Sequence, residues 1–430
     1  MQRNTASFTV TDKQIFKQQI LTWCSHFDIC CFLDNNQYQG SYHSYEWLLA
    51  VDTLSIFSEK ENILESMQQY CNNHHDWLFG HLGYDLKNEI ESLTSGHNDF
   101  IKYPAVFLFQ PVTVISLKDN CVTISTTLNS PLHIFTEVTN VEVPKHPPQG
   151  EAIIINSRFS RQKYIDTVEK LREHILRGDC YEINFCMEFF AENVSLSPLF
   201  IYRQLMLLSP NPFSCFYKLN DKYLVCASPE RYVRKSGSAI VSQPVKGTIR
   251  RNTLADEDLL NRRQLQQSEK ERSENVMVVD LVRNDLSKIC KQGSVKVDEL
   301  FGIYSFPQLH QMISTVSGEL KEDTDFAAII KATFPMGSMT GAPKKRVMEL
   351  VEQYEKTKRG IFSGSVGYIT PDADFDFNVV IRSIMYNECD KYLSYQVGSG
   401  ITFNSNPSEE YNECLLKAKA IEEVLKNSKK

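Results

Sequence analysis

The residue types most able to do chemistry sit close together between Ser228 and Asp285. The stretch opens Ser228-Pro229-Glu230-Arg231-Tyr232 and reaches Pro244-Val245-Lys246-Gly247-Thr248 through two short segments of strand character. A strongly charged helical segment follows, carrying Glu269, Glu271 and Glu274 and running on through Asp280 to Arg283-Asn284-Asp285. An acid, a lysine set before a glycine and a carboxylate cluster are the parts for covalent or acid–base chemistry beside a divalent metal. Lys246 ends a strand-like segment, and Gly247 lets the chain turn sharply there, close to a ligand. In water a lysine has a pKa of about 10.4 and is protonated at neutral pH. To act as a nucleophile it must be neutral, so burial and neighbouring Arg or Lys charge are expected to depress that value. The same five residues also suit a lysine whose stem covers a strand end and whose head reaches water.

Two E-x-x-E pairs, Glu271/Glu274 and Glu410/Glu413, fall in segments of helical pattern. Positions three apart share a helix face, so each pair sets two carboxylates side by side. Such neighbours repel unless a cation joins them, which makes a shared Mg²⁺ site one reading and a solvated helix face the other. Arg382 lies in the apolar run Val379-Val-Ile-Arg-Ser-Ile-Met, read as one strand over 378–385, where it needs a carboxylate partner from a ligand or from the chain itself. Gly398-Ser399-Gly400 follows a strand read over 393–397 and offers either backbone N–H groups for an anion or a tight turn. His310, on a strand read over 306–314, is either a substrate contact or a satisfied structural histidine.

The elements that must position these groups form a long chain of mixed type. At 430 residues it exceeds the usual size of a single core. With 42% hydrophobic and 23% charged residues it reads as globular, and a net charge of -7 carries no basic footprint for nucleic acid. The twelve cysteines form no C-x-x-C pair, which speaks for a reducing cytoplasmic compartment and against a zinc knuckle. No run approaches the ~18 apolar residues of a membrane span, and the first residues lack the apolar core of a signal peptide. Residues 1–140 are β-rich, with strand character at 29–33, 53–57, 105–109 and 112–116. Val143 to Gly150, rich in proline, breaks the periodicity, so 141–150 is the expected linker and 151–430 the catalytic region. In that region Ser160 is read as the cap of an amphipathic helix ending at Gly178. Helices are also expected at 254–267, 268–288, 324–333 and 342–354 and from Pro407 onward.

Taken in order, these motifs resemble the chorismate-utilising enzymes over about residues 160–425. The resemblance rests on Gly178-Asp-Cys-Tyr181, Ser228-Pro-Glu230-Arg231, Pro244-Val-Lys246-Gly-Thr248 and Arg272-Ser-Glu274 through Asp285. Phe334-Pro-Met-Gly-Ser-Met-Thr340-Gly-Ala-Pro-Lys344, Ile381-Arg382, Gly398-Ser-Gly400-Ile401 and Glu410-Tyr-Asn-Glu413 complete it. It implies an α+β fold, a large two-layer body with antiparallel sheets at the centre and helices outside, in which the N- and C-terminal parts interleave. It also implies chorismate on a Mg²⁺ held by Glu274 and Glu413, with Glu271 and Glu410 close behind. Arg382, Lys417 and the backbone near Gly398 and Gly400 would take the carboxylates, Thr340 and His310 would line the ring site, and Glu230 would be the general acid. Lys246 points to the aminodeoxychorismate synthase component I branch, since anthranilate synthases carry alanine there. In that branch the lysine attacks C2 of chorismate, ammonia then adds at C4, and 4-amino-4-deoxychorismate results, on the way to para-aminobenzoate and folate.

Isochorismate synthases use a lysine base on another strand, where this chain has Glu182, which argues against water activation. Aminodeoxychorismate synthases often read Gln-Val-Asn-Leu-Ala-Gln-Arg after the Gly-Asp-Cys-Tyr motif, where this chain reads Glu182-Ile-Asn-Phe-Cys-Met-Glu188, a departure expected to have a structural consequence. Tryptophan binding is not expected, because Phe32-Leu33-Asp34-Asn35 matches the effector motif of some relatives only in part. No glutaminase motif is visible, so ammonia is expected from a separate glutamine amidotransferase subunit or free in solution. The alternatives are anthranilate synthase component I and a non-catalytic chorismate-binding subunit.

Overall fold

A computed structural model describes residues 3–38, 42–128, 130–144 and 153–427. Part of the expected linker, residues 145–150, lies outside the described residues. Among those described, twenty strands and eleven α-helices make an α+β fold. Every strand pairing in it is antiparallel.

The strands form two arms that share one long strand, Val106–Lys118. One arm runs from it through Trp47–Phe57, Ile29–Asp34, Phe213–Leu219, Lys222–Ser228, Ser383–Asn387 and Tyr392–Ile401 to Glu182–Ala191. The other runs through Leu78–Leu82, Ser365–Ile369, Phe375–Asn378, Arg231–Ser236 and Ala239–Gln243 to Leu309–Glu319, which also pairs with Val245–Arg250 and Lys296–Ser305. The sequence suggests two strands, 105–109 and 112–116, on either side of Pro111. The chain passes through Pro111 without breaking, because the pairing shifts register between Thr53 and Ser55 opposite it, and such a bulge accommodates a residue with no N–H to give.

Both faces of the first arm are buried, and the period of two divides its residues between two cores. Cys30, Phe32, Leu49 and Val51 face the core covered by helices Lys13–Cys24, Arg161–Leu176, Pro198–Leu208 and Pro407–Asn427. Cys31, Leu48 and Ala50 face the opposite core, shared with Val366, Phe375 and Phe377 of the second arm and with Val279 and Val282 of helix Glu269–Ile289. The helix caps follow the sequence: the Ser160 hydroxyl accepts from the Lys163 N–H, the Ser268 hydroxyl from the Glu271 N–H, and Gly178 turns the chain at φ +81°.

The run read as one strand over 378–385 is interrupted. Strands Phe375–Asn378 and Ser383–Asn387 are separate, and Arg382 sits between them with φ +53°, so the chain crosses there from the second arm to the first. A left-handed arginine is costly backbone for a residue with a Cβ and directs its side chain as a strand would not. Strand Tyr392–Ile401 continues through Gly398 and Gly400, which are therefore sheet residues and not a turn after a strand.

Candidate active site

A cleft of about 700 Å³, counting its open mouth, lies where the ends of the two arms meet helices Glu269–Ile289 and Pro407–Asn427. Strand Val245–Arg250 brings Lys246 into it, with Gly247 at φ +97° closing on Glu271. The first helix contributes Glu271 and Glu274, the second Glu413 and Lys417, strand Tyr392–Ile401 Gly398 and Gly400, and the corner between strands Arg382. Glu230 enters from the sharp connection between Lys222–Ser228 and Arg231–Ser236, where its own N–H donates to the Ser228 hydroxyl at 3.2 Å.

The charged groups of the cleft pair with one another. Lys246 is bonded to Glu182 and lies 3.9 Å from Glu274. Lys417 pairs with Glu413 at 2.7 Å and donates to the Gly398 carbonyl at 2.7 Å. Lys270 joins the two helices, 2.9 Å from Glu410 and 3.8 Å from Glu274. The Arg382 guanidinium has no hydrogen-bond or ion-pair partner among the described residues, and it lines the cleft. Burial brings its pKa down to about 10 against the opposing charge of Glu413. A desolvated guanidinium with open donors is a ready partner for a carboxylate ligand.

Burial pushes the Glu230 carboxyl up to about 7, opposed by the Ser338 hydroxyl, the Val245 N–H, Lys246 and Lys417. That is the range of a working general acid at neutral pH. Glu274 is pushed up to about 8 by burial and by Glu271 and Glu182, against Lys246 and Lys270. The expected depression of Lys246 is not found. Burial lowers its pKa, but Glu182 and Glu274 outweigh burial and leave it above the ordinary value. Its near neighbours are carboxylates where Arg and Lys charge was expected, and the lysine is an ammonium in this state.

Three of the sequence-derived residues, His310, Thr340 and Glu410, stand outside the cleft lining. The His310 ring is taken up by Ser305 at 2.8 Å and Asp258 at 3.0 Å, and the residue beside it, Gln311, lines the cleft. A strand turns successive side chains to opposite faces, so the two cannot both line it. Thr340 is buried with its hydroxyl donating to the Met336 carbonyl at 3.1 Å, and Ser338 and Met339 form the wall instead. Glu410 lies behind the wall, against Lys270. Sequence reasoning missed Gln311 and Ser338, for which strand alternation beside His310 was a usable signal and the irregular turn at 337–339 gave none.

The carboxylates are suited in kind to a hard cation, which takes oxygen donors. Glu274 Oε1 and Glu410 Oε2 are buried with no hydrogen-bond partner among the described residues, so acceptor capacity stands open on both helices. Among the described residues no three His, Cys, Asp or Glu side chains already converge as metal ligands. Lys246, Lys270 and Lys417 supply the neutralising charge. A second cavity, of about 470 Å³, lies beside Asp34, Trp47 and Phe213, where Asp34 is ion-paired with Lys17.

Comparison with known proteins gives this geometry its setting. Aminodeoxychorismate synthase component 1 of Bacillus subtilis is 36% identical over 270 residues, which cover 63% of this chain and 57% of that relative's length. An anthranilate synthase component I-like protein of Synechocystis is 31% identical over 370 residues, 84% of this chain and 74% of the relative. Among solved structures, anthranilate synthase component I of Streptococcus pneumoniae superposes with a TM-score of 0.78 at 23% identity, covering 89% of this chain and 95% of that one. The menaquinone-specific isochorismate synthase of Escherichia coli gives 0.76 at 15% identity, covering 99% of this chain and 95% of that one, so the fold is common to all of them. The model of the chorismate binding enzymes matches residues 31–423, and the chain belongs to that family.

Proposed function

We propose that the chain converts chorismate and ammonia to 4-amino-4-deoxychorismate, as aminodeoxychorismate synthase component I, in para-aminobenzoate and folate biosynthesis. The observation that carries this reading is a lysine and a carboxylic acid with pKa about 7 facing one cleft, Lys246 and Glu230. Arg382 and Lys417 supply the cationic wall that a dianionic ring substrate requires.

The chemistry follows from these positions. The Lys246 amine, once it has shed a proton, forms a bond to C2. The ring double-bond pairs move from C1–C2 to C1–C6 and from C5–C6 to C4–C5, and the C4–O bond breaks. Glu230 gives its proton to the departing hydroxyl, which leaves as water. Ammonia then bonds to C4, both pairs return, the lysine leaves C2 as a neutral amine, and the new C4 ammonium gives a proton back to the Glu230 carboxylate. Chorismate and ammonia thus become product and water, and one difficult displacement is divided into two. Glu274 and Glu413, with Glu271 and Glu410 behind them, would hold a Mg²⁺, whose charge would anchor a substrate carboxylate. Ammonia would come from a separate glutamine amidotransferase subunit, and twelve unpaired cysteines suit a cytoplasmic setting.

The test is incubation with chorismate, Mg²⁺ and ammonium, with products separated by chromatography. Aminodeoxychorismate is expected, from ammonium but not from glutamine unless the amidotransferase is added. Lys246→Ala should lose most of the product, and so should Lys246→Arg, since a guanidinium stays protonated. Anthranilate as the product would establish the anthranilate synthase reading, and no turnover at all would favour a binding subunit.

A further inference from the structure

We infer that Glu182 is a positioning residue for Lys246, its buried carboxylate holding the lysine nitrogen where it meets the ring; this rests on the reading of Lys246 as the nucleophile. The contact is direct, since Lys246 Nζ donates to Glu182 Oε1 across a sequence separation of 64 residues. The next carboxylate, Glu274, is 3.9 Å away. Without Glu182 the lysine head would have no hydrogen-bonding partner among the described residues to fix its four flexible bonds inside the cleft.

Glu182 is well fixed for this purpose. It is the first residue of strand Glu182–Ala191 and pairs with Ala342. On either side of it the Tyr181 N–H donates to the Ala342 carbonyl at 2.8 Å and the Asn184 N–H to the Thr340 carbonyl at 2.7 Å. The residue is 1% exposed, and its second oxygen, Oε2, is buried with no hydrogen-bond partner among the described residues. A carboxylate taken out of water and bonded to one group is expensive as a structural device, since half of its acceptor capacity goes unused. Gly400 makes the room for the pair. A Cβ built there would overlap Lys246 Nζ and stand 2.9 Å from Glu182 Oε1. Three strands therefore converge on one nitrogen: one carries the lysine, one the carboxylate, and one leaves out its side chain.

Positioning has a signature that ion pairing for stability lacks. Attack forms the N–C2 bond and breaks C4–O, while Glu182 bonds to nothing new, so its loss should slow bond formation and leave substrate affinity alone. The experiment is rapid mixing with chorismate and Mg²⁺ in the absence of ammonia, reading the adduct on the Lys246 peptide by mass spectrometry. Steady-state kinetics with ammonium run alongside. Glu182→Ala should slow adduct formation by about 100-fold, the scale of a displacement of about 1 Å in a reacting group. The KM for chorismate should stay within about threefold, as expected when only interactions made on the way to the transition state are lost.

Glu182→Gln keeps the reach of the side chain without its charge, and Glu182→Asp keeps the charge on a shorter arm. Positioning predicts that Gln retains more adduct formation than Asp, and this comparison decides the matter if the alanine variant does not fold. The reverse order, a wild-type rate in Glu182→Ala, or a loss confined to KM would each overturn the inference while leaving the nucleophile in place. Wild-type protein that forms no adduct on Lys246 would instead remove the covalent reading itself.

Discussion

Glu230 is an acid made by its surroundings, since the side chain is 2% exposed and burial is the first cause of its raised pKa. The value of about 7 fixes the pH at which the protonated form disappears. As pH rises through 7 the proton needed by the departing hydroxyl is lost, so kcat/KM should fall with a limb near that value. Glu230→Gln should cost about 100-fold or more in kcat and abolish the limb, and a limb that survives in this variant would assign it to another group. The folded pKa lies above the unfolded one, so the protonated carboxyl favours the folded state. That contribution is full at pH below about 4 and is lost as pH rises through 7. At this scale much was legible: Glu230, Lys246 and Arg382 stand out by type, neighbours and setting, and all three reach the cleft. The charge state of Lys246 was not legible, because it depends on a glutamate 64 residues away that no local pattern links to it.

At the scale of elements, the site depends on helices Glu269–Ile289 and Pro407–Asn427 setting their E-x-x-E faces toward one another, with Lys270 between them. Periodicity reveals each face, but it cannot say that the two meet, nor that Glu410 stands behind the wall while Glu413 forms part of it. Because burial and neighbouring carboxylates keep Glu274 protonated up to about pH 8, a cation must displace that proton to bind. Calorimetric titration with Mg²⁺ should therefore show tighter binding at pH 8.5 than at 6.5, with proton release into the buffer at the lower pH. Glu274→Gln should remove both effects, and pH-independent affinity in the unaltered protein would count against Glu274 as a ligand. The sequence places Gly398 and Gly400 just past a strand, as an anion cradle or a tight turn, and they lie within strand Tyr392–Ile401. Glycine marks both turns and places where other groups approach closely. Gly400 is of the second kind, and Gly400→Ala should cost at least about tenfold in kcat, the alanine methyl displacing Lys246 and Glu182. A variant with a wild-type rate would show that the pair has room elsewhere.

At the scale of the molecule, the described residues up to 144 and those of 153–427 do not separate. Strand Ile29–Asp34 pairs with Phe213–Leu219, Leu78–Leu82 pairs with Ser365–Ile369, and both hydrophobic cores draw on both parts. A break in periodicity near 143–150 marks a connection, and connection alone does not make a domain boundary when strands on its two sides share a sheet. Among the described residues the first part supplies no side chain to the cleft wall, yet it supports one. Arg359 stacks on the Tyr84 ring at 4.5 Å, and its guanidinium donates to the Met339 carbonyl at 2.6 Å and the Asn184 carbonyl at 2.8 Å, both residues of the wall. Residues 153–427 expressed alone would leave two strand edges unpaired and apolar core surface bare, the conditions for aggregation. That fragment should be insoluble, or should bind a hydrophobic dye and unfold without a cooperative transition. Co-expression with residues 1–144 should restore a cooperative transition and ammonium-dependent turnover. If the fragment alone melted cooperatively and turned over chorismate, the two parts would be independent domains, and Tyr84 and its neighbouring strands would not be needed to hold the wall of the site.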